Sequence, residues 1–137
     1  MSKEVKADAQ QLKGAFRSHN KIIKESKNND SPSLELLRFY ACECALKALY
    51  IQKNNLRDTG DFEHVKGFHG KKYGHGHDIL KWLGEVKLPN FAIPFKGKEK
   101  DPLIKCHQKL RYGVGVHLNQ ITFIKGLNTE LKKHLQS

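Results

Sequence analysis

The stretch from Ser31 to Asn54 constrains this chain most. Ser31-Pro32 reads as a helix start: a hydroxyl that can cap the first free N–H groups, then a proline whose fixed φ and missing N–H suit the first helical position. From there Leu37, Ala41, Cys44, Ala48 and Ile51 recur at helical spacing as one stripe. Leu34, Phe39, Leu46, Leu49 and Tyr50 cover much of the remaining circumference. A helix apolar on most sides has to be surrounded, so further helices are expected to pack round it.

Suitable partners lie on both sides of it. Val5, Ala9, Leu12, Phe16, His19 and Ile23 alternate at spacings of four and three, which predicts a first helix over 5–26. His19 sits on that seam as a packed, hydrogen-bonded histidine. A short helix is predicted from about His77-Asp78 to just before Pro89, with Ile79, Leu80, Trp82, Leu83 and Val86 as its apolar face. Asp101-Pro102 repeats the cap-then-proline start and predicts a helix carrying Leu103, Cys106 and Leu110 inward. The last helix is expected over about 114–135, with Asn128 on its buried stripe as a candidate for fixing register between subunits. No strand-like alternation or internal repeat competes with this pattern. The fold class is therefore all-α: a four- to five-helix up-and-down bundle, one domain over 1–137, its core at about 5–135.

Charge narrows the partner class. The chain has 137 residues with 25 Lys and Arg against 14 Asp and Glu, a formal +11. Such a field attracts polyanions and is screened by salt, so nucleic acid is the first expectation. No run approaches the roughly eighteen apolar residues of a spanning helix, so no membrane role is expected. The opening Met1-Ser2-Lys3-Glu4 lacks a signal-peptide pattern, and three cysteines are an odd number. Reduced thiols and a cytoplasmic protein are expected.

Three places carry candidate chemistry. On the central helix Glu43 and Lys47 stand four residues apart; they either pair with each other or, if Glu43 faces inward, it needs a partner such as Arg111 or His117. Cys42 and Cys44 point to different faces and read as packing residues. The segment 55–76 breaks the helical periodicity. From His64 to His77 it holds four histidines, three lysines, four glycines and no acid. Lys66, His69, Lys71, Lys72 and Tyr73 offer cations for phosphates and a ring for bases, a single-strand nucleic-acid loop. A solvated surface loop explains the same composition, and the histidine spacing fits no standard zinc motif. Neither a metal nor a cofactor is expected.

The third place is Leu110-Arg111-Tyr112-Gly113-Val114-Gly115-Val116-His117. Arg111 presents a permanent planar charge suited to phosphate oxygens, and His117 can exchange a proton near neutral pH. The glycines interrupt a helix and put His117 in the first turn of the next, where free N–H groups attract anions. A packing role competes with this, because His117 shares a helical stripe with Ile121, Ile124, Leu131 and Leu135.

Taken together these segments resemble the HEPN superfamily of small helical domains. Phe39 to Tyr50 is similar to that family's glutamate/Ala-Leu-Lys-Ala helix, and Gly76-His77-Asp78-Ile79-Leu80 to the start of its next helix. Arg111 through His117 is similar to its arginine, four to six residues, histidine motif. The resemblance covers about 34–135 and implies a helical bundle that dimerises, bringing two Arg/His sites into one cleft. It implies a metal-independent endoribonuclease, a toxin or antiviral effector, with Arg111, His117 and Glu43 as catalytic candidates. The Leu110-Arg111-Tyr112 string also resembles non-catalytic members, which implies an RNA-binding module or one docking a nucleotidyltransferase or antitoxin.

Overall fold

A computed structural model describes residues 6–26, 31–65, 79–88, 91 and 118–135. Among these residues the secondary structure is entirely helical: α1 (Ala9–Glu25), α2 (Pro32–Lys53), a 3-10 turn (Thr59–His64), α3 (Ile79–Val86) and α4 (Leu118–Leu135). No described helix is long and apolar enough to cross a membrane. The helix predicted after Asp101 lies outside the described residues, as does the segment 66–78.

α2 is the axis of the assembly, and α1, α3 and α4 each pack against it. Its sequence dictates this placement. Phe39, Ala41, Cys42, Ala45, Leu46, Ala48, Tyr50 and Ile51 are all buried, and together they span most of the helix surface. α1 contributes Leu12 and Phe16 to the core, α3 contributes Ile79, Trp82, Leu83 and Val86, and α4 contributes Phe123, Ile124, Leu127, Leu131 and Leu135.

The helix ends follow local chemistry. Ser31 Oγ accepts the Leu34 N–H at 3.2 Å, and Pro32 opens α2 as its sequence predicts. α2 closes through a left-handed residue, Asn55 (φ 54°), with Leu56 N–H donating to the Ile51 carbonyl and Asn55 N–H to that of Gln52. That pair of bonds satisfies carbonyls the helix leaves open. α1 begins at Ala9, four residues after the predicted start. The reason is Asp8: its carboxylate accepts the Gln11 N–H at 2.8 Å while Gln11 Oε1 accepts the Asp8 N–H at 2.9 Å, a reciprocal cap. Asp8→Ala should therefore cost about 1 kcal/mol in urea unfolding, with the slope unchanged.

The segment 55–65 is more ordered than its lost periodicity suggests. Asp58 caps the 3-10 turn by accepting the Gly60 N–H at 2.8 Å. Ala7 N–H donates to Thr59 Oγ1 and Thr59 N–H to the Ala7 carbonyl, which ties the turn to the start of α1. The turn thereby delivers Phe62 into the core, where it meets Tyr50 and Trp82 with ring centroids 5.4 and 5.1 Å away. One aromatic in a short turn leaves no periodic trace, so sequence patterning passes it over.

Candidate functional site

Two features stand apart from ordinary packing. The first is Glu43, midway along α2 and 4 % exposed. Lys47, one turn on, brings its ammonium to 3.8 Å from Glu43 Oε2 and 5.7 Å from the centre of the Trp82 ring. Both sequence readings of Glu43 thus meet in one place: it faces inward, and it neighbours Lys47. Burial pushes its carboxyl up from the ordinary 4.5 to about 8, and Lys47 draws it back only in part. At neutral pH the carboxyl mostly keeps its proton, so its contact with Lys47 is then charge to dipole and not an ion pair.

That proton has a consequence for stability. Between about pH 4.5 and pH 8 the unfolded chain releases it while the folded chain retains it. Folding stability should therefore fall as pH rises through this window and level off above it. Glu43→Gln, which keeps the shape of the protonated acid, should flatten that slope and be more stable than wild type at pH 8 by about 2–4 kcal/mol. Denaturant melts at four pH values check both statements.

The second feature is a groove of about 810 Å³ between α1 and α4, reaching Arg38 on α2. Arg17, Lys21 and Lys24 line it from α1, Lys125 and Lys132 from α4, and among the described residues no carboxylate lines it. Phe16, Ile23 and Leu135 contribute apolar walls. Arg38 is 7 % exposed, and Glu35, 3 % exposed, accepts from its Nη1. Glu35 Oε2 is buried without a hydrogen-bond partner, so the pair is only half satisfied on the acid's side.

Asn20 and Asn128 join the two helices across the groove. Asn128 Nδ2 donates to Asn20 Oδ1 at 2.6 Å and Asn20 Nδ2 to Asn128 Oδ1 at 3.3 Å. Asn128, which its sequence position makes a candidate for register between subunits, thus finds a partner within its own chain. His19, one position earlier on α1, is half-buried, and burial lowers its imidazole below the ordinary value. Cys42 is buried beneath α4, and burial drives its thiol far above the ordinary range, which makes it unreactive.

Of the sequence candidates, Glu43 is placed by the structure. Arg111, His117, Lys66, His69, Lys71, Lys72 and Tyr73 lie outside the described residues. The groove cations were passed over in the sequence. Their signal is faint but present: 17, 21 and 24 share one face of α1, and 125 and 132 one face of α4. That the two rows converge depends on how the helices pair, which no single helix encodes. Among the described residues no cluster of His, Cys, Asp or Glu could hold a metal ion. Compared with known proteins, the chain matches no family model, no curated protein and no solved structure.

Proposed function

We propose that the chain is a metal-independent endoribonuclease of HEPN type, a toxin or antiviral effector acting in the cytoplasm as a homodimer. The observation that supports this best is Glu43. A carboxyl withdrawn from water on the central helix, its pKa moved to about 8, is the kind of perturbed group that functional sites gather. It falls in the Phe39–Tyr50 segment through which the chain resembles that family.

The reaction suits the residues of the motif. His117 takes the proton of a ribose 2′-hydroxyl, and the freed oxygen attacks the adjacent phosphorus. The bond from phosphorus to the 5′-oxygen breaks, and that oxygen takes a proton from the same histidine of a second copy. Arg111 neutralises charge gathering on the non-bridging oxygens. The products are a 2′,3′-cyclic phosphate and a 5′-hydroxyl. The nucleophile is the substrate's own hydroxyl, so the step needs no metal-bound water. Glu43 acts as a positioning residue for Arg111 or His117, able to donate a hydrogen bond when protonated.

The basic groove favours a second reading, in which the chain binds RNA, or docks a nucleotidyltransferase or antitoxin, without cutting. Its cations come from residues outside the motif. Incubating the full chain with end-labelled RNA in EDTA separates the two. Shortened RNA supports the nuclease. Intact RNA from about pH 5 to 9, held in a salt-sensitive complex, supports the binding module. Intact and unbound RNA overturns the nuclease and the RNA-binding module alike, and leaves only docking to a protein partner.

A further inference from the structure

We infer that the groove between α1 and α4, built from residues outside the Arg111–His117 motif, is a track for the phosphodiester backbone of single-stranded RNA. The inference rests on the chain acting on RNA, and goes beyond it in assigning a second binding site. Three independent observations carry it.

The first is the sign of the walls. Among the described residues six cations line the space and no acid does. Packing two like-charged rows against each other is costly unless an anion or bulk water comes between them. Four of the cations, Arg17, Lys21, Lys24 and Lys132, are exposed, and among the described residues no ion pair involves these four. The second is length. Arg17 to Lys24 and Lys125 to Lys132 each span seven residues, about 10 Å along a helix axis, enough to meet more than one phosphate. Apolar wall residues between the cations suit sugars and bases, the combination found in single-strand channels.

The third is construction. Arg38 sits deep in the groove as a buried guanidinium, held by Glu35 through Nη1. A planar cation fixed in this way can present further N–H groups to a phosphate without first being ordered. The Asn20–Asn128 amide pair sets the relation of α1 to α4, so the two cation rows are held in register before RNA arrives. A groove of about 810 Å³ is the size of a site for a nucleotide or two.

The test compares two double variants with the same change in net charge. Lys21→Glu with Lys132→Glu reverses one cation on each side of the groove. Lys6→Glu with Lys133→Glu reverses two exposed cations that do not line it. Fluorescence anisotropy with a labelled single-stranded RNA of about 12 nucleotides reports affinity, and circular dichroism confirms that each variant is folded. At about 100 mM salt the groove variant should bind at least tenfold more weakly than wild type, while the control changes less than about threefold. The slope of log affinity against log salt should fall by about 1.4 in the groove variant, two contacts at about 0.7 each.

Equal losses in the two variants overturn the inference, since a diffuse field would then explain all binding. A groove that prefers a free nucleoside triphosphate to the 12-mer overturns its assignment to an RNA chain. Should wild type bind and cut RNA while the groove variant binds as tightly, the track fails and the nuclease reading stands. Should wild type bind no RNA, both fail.

Discussion

His117→Ala is expected to slow single-turnover cleavage of RNA by a factor of about 10²–10⁴, with the melting temperature left within a few degrees of wild type. The size follows from removing a group that moves a proton in the rate-determining step. Arg111→Ala should cost about 10²–10³, the usual loss when a donor to a developing oxyanion is deleted, and Arg111→Lys should recover part of it. If the groove carries most of the charge that binds RNA, as proposed, both losses should appear in the rate at saturating RNA. If one histidine from each copy serves as acid and base, the pH–rate profile is a bell, and mixing inactive with wild-type chains lowers activity more than dilution does. A competing role in packing has a different outcome. On helical spacing the sequence puts His117 in line with Ile121, Ile124, Leu131 and Leu135, the last three of them buried, so a merely structural histidine would announce itself as a fall in stability.

Arg38→Ala is expected to destabilise the fold by about 3–5 kcal/mol, lowering the melting temperature by ~10 °C or more. Glu35 and Arg38 are both buried, and the Glu35 carboxylate already has one oxygen without a hydrogen bond. Removing the guanidinium takes away the ion-pair partner of a buried acid. The penalty is that of an orphaned charge, and it exceeds what the intact pair contributes. Glu35→Gln added to Arg38→Ala should recover a good part of the loss, since the remaining group is neutral. Denaturant melts of the single and double variants give the coupling directly. The same substitution removes the deepest cation of the groove, so RNA affinity should fall in both variants even where stability returns. That separation distinguishes a group serving the fold from one serving a ligand as well.

The order of the described helices is readable because each rests on local chemistry. Ser31-Pro32 announces α2 by a cap and a fixed φ, and its apolar circumference announces that it is central. The start of α1 was set four residues too early because Val5 continues the apolar seam, whereas the Asp8 and Gln11 side chains decide where the helix begins. Phe62 escaped notice for a related reason: a 3-10 turn has no apolar period of its own, and its place in the core depends on the Ala7–Thr59 tie. Glu43 was legible as an anomaly, an acid on an apolar cylinder, though its proton follows from burial that only the packed helices create. The groove was the least legible. Lys21 and Lys132 are 111 residues apart and look like any solvated lysines until Asn20 and Asn128 bring their helices together.

The most direct measurement is the chemistry of the RNA ends left after incubation with the full chain in EDTA. A 2′,3′-cyclic phosphate on one fragment and a 5′-hydroxyl on the other are expected, with cleavage blocked by a 2′-deoxynucleotide at the cut. A 3′-hydroxyl facing a 5′-phosphate, or cleavage indifferent to the missing 2′-hydroxyl, would contradict the mechanism.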